Sequence, residues 1–315
     1  MKKLLVIFNL IFLHMFMYGQ QDPLFTRNVF ISDMLYNPAS TAMHGDIRAM
    51  GAYRNQWGSL VGSPKTFVLN TELPLENIHS GIGCNIFHDA IGFDSHYGIY
   101  VNYAYSINLS KNIKKRLGMK GGFSLLTSDF TDVDTPDNQN LDPIYTQNQK
   151  VSIPKVGFGI FLHNDKSYFG FSIPYTAASI PNSGFSFAED NAYLSRHFYA
   201  TLGHVISTPI DEMEVKPSIF LRYHQSAPLQ ADISTQVWYK DLFSIGLSYR
   251  TNDALAGTCD IALSQNLILS YAYDYTYSDF QSISAGAHEC ILVYRWQKKS
   301  VSIPSIHKFP ILPRF

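Results

Sequence analysis

Charged residues are scarce in this chain. Asp, Glu, Lys and Arg make up 16% of its 315 residues, compared with ~25% in an average soluble domain. After residue 16 there is also no long apolar run, although 46% of the residues are hydrophobic. A spanning helix needs ~20 consecutive apolar residues. The sequence therefore predicts no transmembrane helix after the N-terminal run, and instead indicates apolar residues spread over short strands, as in a transmembrane barrel.

The net charge is close to zero and cysteines are few. These two features argue against a nucleic-acid-binding protein and against a cysteine-based metal or redox site. The formal charge is −1 and no long basic run occurs, so we expect no nucleic-acid partner. The three cysteines, Cys84, Cys259 and Cys290, cannot all pair within one chain, and none has the spacing of a metal or redox motif. Each alternates with apolar residues, so we expect small hydrophobic groups on an apolar face. We expect neither a metal nor a cofactor.

The N-terminus has the pattern of a signal peptide. Met1-Lys2-Lys3 is positively charged, an apolar stretch follows to Phe16, and Gly19 is a small residue at a plausible cleavage point. We therefore assign residues 1–19 to the signal peptide and expect the mature chain to begin near Gln20.

Two further pieces lie outside the expected barrel. Residues 20–47 contain Asn37-Pro38-Ala39-Ser40, a turn signature, and are predicted to be a periplasmic or lumenal segment. Residues 297–315 carry three prolines and are predicted to be an extended periplasmic tail.

Alternating runs fill residues 48–296. In Leu267–Tyr277, large apolar and aromatic residues occupy every second position, and small or polar residues occupy the positions between them. This period of two is typical of a lipid-facing strand. We predict an all-β fold, an antiparallel outer-membrane β-barrel of about 14 strands. The candidate strands lie near residues 48–56, 65–73, 80–89, 95–108, 115–128, 153–162, 167–175, 194–206, 213–225, 229–239, 242–250, 254–263, 267–277 and 283–296.

The lengths of the connections predict the orientation. The two longest, residues 129–152 and 176–193, follow the fifth and seventh strands. Long connections in such barrels are extracellular and short turns are periplasmic. Both barrel termini are therefore expected in the periplasm.

Two motifs are candidate partner-binding or lumenal sites. Tyr53-Arg54-Asn55-Gln56-Trp57 combines an arginine, two amides and two aromatics at the end of the first strand. It fits either a recognition patch or ordinary barrel architecture, with Arg54 and Gln56 pointing inward and the aromatics in an interface girdle. His288-Glu289 lies in the last strand, where alternation predicts an outward His288 and a lumenal Glu289.

Neither motif predicts catalysis. No second histidine stands at metalloprotease spacing from His288. The glycine pairs Gly81-Ile82-Gly83 and Gly121-Gly122 lack the third glycine of a dinucleotide site and indicate bends or close packing within the sheet. The expectation is a protein that is not an enzyme.

The order of motifs resembles the PorP/SprF family of type IX secretion membrane proteins. The resemblance is carried by Gln21-Asp22-Pro23, Asn37-Pro38-Ala39, Tyr53-Arg54-Asn55-Gln56-Trp57, Pro64-Lys65-Thr66, Lys216-Pro217-Ser218, Gly246-Leu247-Ser248-Tyr249-Arg250 and Gly286-Ala287-His288-Glu289. It departs from the family at Ala287, Val293 and Trp296, where serine, glycine and phenylalanine are more usual.

This resemblance implies an outer-membrane barrel of Bacteroidota that assists export and surface attachment of secreted cargo, such as large adhesins, and in some members serves gliding motility. The implied partners are the C-terminal sorting domain of the cargo, other type IX secretion components and membrane lipid. Two alternatives remain open from the sequence. One is a channel for small solutes. The other is a lipid-acting enzyme, which would need a convergent catalytic cluster.

Overall fold

The fold is a closed antiparallel β-barrel. The computed structural model describes residues 33–129, 149–177, 197–210, 212–224, 227–240, 242–277 and 285–296. Within them, fourteen strands form one continuous sheet. The strands are β1 (Ile47–Gln56), β2 (Lys65–Leu75), β3 (Ser80–Ile91), β4 (Asp94–Asn108), β5 (Lys114–Ser128), β6 (Gln149–His163), β7 (Ser167–Ala177), β8 (His197–His204, continued by Ile206–Ser207), β9 (Met213–His224), β10 (Ala227–Tyr239), β11 (Phe243–Arg250), β12 (Ala254–Ala262), β13 (Leu267–Thr276) and β14 (Ala287–Trp296).

Each strand pairs with its sequence neighbour, and β14 pairs back to β1 to close the sheet. The predicted fold class and strand count are therefore confirmed. Most boundaries agree within a few residues. Residues 1–32, which include the predicted signal peptide, and the predicted tail 297–315 lie outside the described residues, as do most of the two longest connections. In the part of the chain that is described, no helix is long and apolar enough to cross a membrane.

The eighth strand is interrupted at Val205. It pairs with β9 on both sides of the interruption, with Gly203 opposite Ser218 and Ile206 opposite Val215. Pro217 lies in the gap, and proline has no N–H to donate to a ladder. The amide of Val205 donates to the carbonyl of Lys166, next to the start of β7.

The outward face of the barrel is an apolar belt. Mid-strand residues such as Val101, Met119 and Leu247 are exposed on it, and all three cysteines lie on this face by strand alternation. Exposed aromatic side chains lie towards both ends of the strands, at Tyr53, Tyr97, Tyr223, Tyr249 and Tyr275 at one end and Tyr105, Tyr239, Phe243, Tyr294 and Trp296 at the other. An apolar band between two aromatic girdles is the pattern of a barrel surrounded by lipid.

The two ends of the barrel differ. We call the end that carries Ile47 and Trp296 the terminal end. There the strands are joined by short turns such as residues 164–166 and 263–266. The opposite end, which we call the loop end, carries the longest connections, residues 129–148 and 178–196.

Candidate functional site in the barrel lumen

The lumen contains a piece of the chain itself. Residues Asp33–Asp46, which we call the lumenal segment, form two short 3₁₀ turns, Asp33–Leu35 and Pro38–Ser40. Asn37 organises the second turn: its Oδ1 accepts from the amide of Ala39 at 2.9 Å, while its Nδ2 donates to the carbonyl of Ile160 at 3.1 Å. The Asn-Pro turn seen in the sequence is therefore fixed to the inner wall of β6.

A row of small residues makes room for this segment. On five successive strands, β3 to β7, the residues directly opposite one another are Gly81, Ala104, Gly118, Gly159 and Ser172. A Cβ atom added at Gly118 would collide with the backbone of Pro38 and Ala39, and one added at Gly159 would collide with Asn37. The lumenal segment therefore lies directly on the backbone of the wall.

Polar side chains of the wall bind the backbone of the segment. Arg116 donates from Nε to the carbonyl of Ala39 at 2.8 Å and from Nη2 to that of Thr41. Lys120 Nζ donates to the carbonyl of Leu35 at 2.7 Å. These contacts satisfy buried carbonyl groups that would otherwise be costly.

Two further contacts extend this pattern. Ser172 Oγ donates to the carbonyl of Tyr36 at 2.7 Å, and Glu72 Oε2 accepts from the amide of Ala42 at 2.6 Å. The ring of Tyr36 packs against Tyr199 and Phe220, with centroid distances of 5.4 and 5.2 Å. The side chains of Leu35, Tyr36 and Asn37, together with a series of backbone contacts, thus hold the segment.

A buried charge network lies in the loop-end half of the lumen. Arg54 reaches Asp274 at 2.7 Å and Glu289 at 3.1 Å. Arg250 reaches Asp274 at 3.2 Å and Asp232 at 3.1 Å. Arg222 extends the network through Asp232 at 2.8 Å. Arg250 also reaches the partly exposed Asp253 at 3.1 Å, so every arginine of the network has a carboxylate partner, as buried ionic groups require.

A second charge cluster lies at the terminal end. Arg48 and Arg295 are direct cross-strand partners on β1 and β14. Asp46, the last residue of the lumenal segment, contacts Arg48 and accepts from Arg295 Nε at 2.7 Å. One carboxylate thus joins the segment to two arginines that would otherwise repel each other.

The lumenal segment also carries two groups with shifted pKa values. Burial raises the pKa of Asp33 to about 7; nearby Lys216 opposes this shift and Glu72 adds to it. Burial also lowers the pKa of His44 well below 6.5, and the charges of Arg48 and Arg295 act in the same direction. Both groups are therefore favoured in their neutral forms while the segment is docked.

The residues of the two sequence motifs lie in different parts of the barrel. Arg54 and Glu289 point into the lumen and are in direct contact. Tyr53 and His288 lie on the outer face, where His288 Nδ1 is 2.6 Å from the hydroxyl of Tyr271. The remaining three motif residues lie towards the loop end: Asn55 and Gln56 are half-buried at the end of β1, and Trp57 follows with its amide donating to the carbonyl of Gly286.

Other lumenal residues were not identified from the sequence. Asp232, Asp274, Arg116 and Lys120 hold the charge network or the segment, but none stands in a recognisable short motif. The available signal was a charged residue at an inward position of a strand. Its partner could not be read without the strand register.

These features define an outer-membrane β-barrel whose lumen is occupied by its own N-terminal segment and by buried charge networks. The family model described as "Type IX secretion system membrane protein PorP/SprF" matches residues 17–294. The chain belongs to this family, and its location is the outer membrane. No curated protein matches the sequence.

A solved channel structure shares the fold, and a second outer-membrane protein is less similar. The "CymD monoaromatic hydrocarbon channel" is 12% identical, with a TM-score of 0.51 over 90% of this chain and 96% of that one. The Acinetobacter baumannii outer membrane protein Omp33 is 7% identical, with a TM-score of 0.48 over 80% of this chain and 98% of that one. Such low identities bear on the fold alone.

Proposed function

We propose that this barrel is a non-enzymatic component of the type IX secretion system that assists export and surface attachment of particular cargo proteins, such as large adhesins. The observation that carries the proposal is membership of the PorP/SprF family over nearly the whole chain. On this proposal the terminal end faces the periplasm and the other secretion components, and the loop end faces the cargo outside. A link to gliding motility would follow where the cargo is a motility adhesin.

The loop end offers an apolar contact surface for cargo. Val61 and Phe93 are exposed at the tips of the connections after β1 and β3. A hydrogen bond of 2.8 Å from the amide of Gly92 to the carbonyl of Gly62 ties these two connections together. Exposed apolar side chains outside the lipid belt are typical of protein-binding surfaces.

The filled lumen favours this proposal over an open solute channel. Inward-facing side chains such as Asn102, Gln236 and Ser270 are almost completely buried. In contrast, a porin-type channel has a water-filled lumen. A solute channel is the alternative function, and the first experiment must distinguish it from the secretion role.

That experiment is affinity purification of the tagged protein from gently solubilised native outer membranes, followed by mass spectrometry. We expect a large surface adhesin or its C-terminal sorting domain to be recovered. The paired substitution Val61→Asp with Phe93→Asp should reduce this recovery by tenfold or more. The control is Ile210→Asp, which changes an exposed aliphatic residue at the terminal end and should leave cargo recovery unchanged.

Recovery of the barrel alone, together with normal adhesin display in a deletion strain, would contradict the secretion role. Leakage of small solutes through the purified protein in liposomes would then support the channel.

A further inference from the structure

We propose that the inner wall of β2 to β9 is a peptide-binding site, now occupied by the lumenal segment, which can exchange that segment for part of another polypeptide. The ligand class is a short peptide with an aromatic residue directly before an Asn-Pro-type turn of small residues. This exchange is a property of the barrel itself and does not depend on the secretion role.

The wall recognises backbone atoms of the segment. Arg116, Lys120 and Ser172 donate to carbonyl groups, and Glu72 accepts from an amide. Every polypeptide carries these groups, so the contacts do not require the sequence of this particular segment. Selectivity comes from the shape of the turn over Gly118 and from the aromatic site that holds Tyr36.

The wall combines apolar and charged contacts. Leu35 and Tyr36 pack into a hydrophobic cluster, which alone would hold a permanent filler at least cost, because buried ions lose hydration. The site adds Arg116, Lys120 and Glu72, all of them buried. When the segment is bound, these charges are satisfied by its backbone. When it leaves, water can hydrate them, whereas an apolar wall would be destabilised by exposure. The lining therefore suits both an occupied and an empty state.

The segment is attached at the terminal end and midway along the barrel. Asp46 contacts Arg48 and Arg295 at the terminal end, and Tyr36 packs midway along the barrel, near Ser172. The segment can therefore leave through the terminal end without crossing the charge network of the loop end.

The test uses the full chain with a protease site inserted after the exposed Gly45. The barrel is purified with its segment in place and then cut, so that the segment is held by non-covalent contacts alone. A fluorescent synthetic peptide of residues 33–45, which matches the segment released by the cut, is added and its anisotropy is measured. We expect saturable binding that unlabelled peptide competes away and a scrambled peptide does not. N-methylation of Ala42, which removes the amide bound by Glu72, should weaken competition about tenfold.

Two glycines of one strand provide matched variants. Gly118→Leu places a side chain where the turn lies and should abolish peptide binding, whereas Gly121→Leu adds one on the open outer face and should leave it unchanged. If Gly118→Leu fails to fold, Arg116→Gln should weaken binding by tenfold or more. A cut segment that millimolar peptide cannot displace, or equal binding by the Gly118 and Gly121 variants, would overturn the proposal.

Discussion

Arg54 and Glu289 face each other across the strand pair that closes the barrel, with 3.1 Å between Nη1 and Oε2. They are 235 residues apart in the chain, so their contact joins the first strand to the last. Both side chains are buried in the lumen. This ion pair thus links β1 to β14 in addition to the backbone hydrogen bonds between the two strands.

Removing one partner of this pair should destabilise the barrel. Arg54→Leu leaves Asp274 and Glu289 without one of their cations, and breaking a buried ionic contact costs about 3–5 kcal/mol. The measurement is the free energy of unfolding in urea with the protein in detergent micelles. Cys290→Ser is the control, because Cys290 is adjacent to Glu289 but lies on the outer face. A loss below about 1 kcal/mol for Arg54→Leu would contradict the role of the pair in stability.

Because lipid surrounds the middle of the barrel, an arginine substitution should have different effects on folding at two exposed positions. Leu247 is 75% exposed in the middle of the outer face of β11, and Val61 is fully exposed in a loop-end connection. An arginine in the middle of the apolar belt costs about 2–4 kcal/mol, whereas one in a solvated loop costs almost nothing. Leu247→Arg should therefore reduce the yield of folded barrel in lipid vesicles, and Val61→Arg should not. Equal yields would argue against the assigned belt.

The strands could be predicted because a barrel wall has one apolar face and one polar face. The alternation of residues such as Leu267, Leu269 and Tyr271 is visible without any knowledge of the neighbouring strands. The break at Val205 could not be predicted in this way. It depends on Pro217, a residue of the neighbouring strand, and therefore on the register.

The lumenal site was predictable only in part. Asn37-Pro38 indicated a turn, and residue alternation placed Arg54 and Glu289 on the inner face. The contact between Gly118 and Ala39 joins residues far apart in sequence and depends on how five strands align. A glycine within a strand indicates close packing but does not identify the group that packs there.

The docking of the lumenal segment should depend on pH in two opposing ways. Asp33 has a raised pKa, so it holds a proton when docked and loses it when undocked between about pH 4 and 7. Docking is therefore weakened as the pH rises through this range. His44 has a lowered pKa, so it is neutral when docked and protonated when undocked below about pH 6.5. Docking is therefore strengthened as the pH rises towards 6.5.

These dependences oppose each other in the unchanged protein and should appear separately in two variants. Between pH 4.5 and 6.5, Asp33→Asn should strengthen docking with rising pH, and His44→Gln should weaken it, each by up to about tenfold per pH unit. Hydrogen exchange of the segment amides, corrected for intrinsic rates, measures the docking equilibrium. Parallel pH profiles in the two variants would refute the assignment.

Asp46 should be required at the terminal end because Arg48 and Arg295 are cross-strand partners. Asp46→Asn leaves the two guanidinium groups side by side without their shared carboxylate, so we expect a loss of about 1–3 kcal/mol in unfolding free energy. Removing one of the like charges should then restore stability. The double variant Asp46→Asn with Arg48→Gln is expected to recover at least half of the loss, since residues in direct contact are not additive. If the two substitutions instead add, repulsion between the arginines is not the cause, and Asp46 acts only through its own hydrogen bonds.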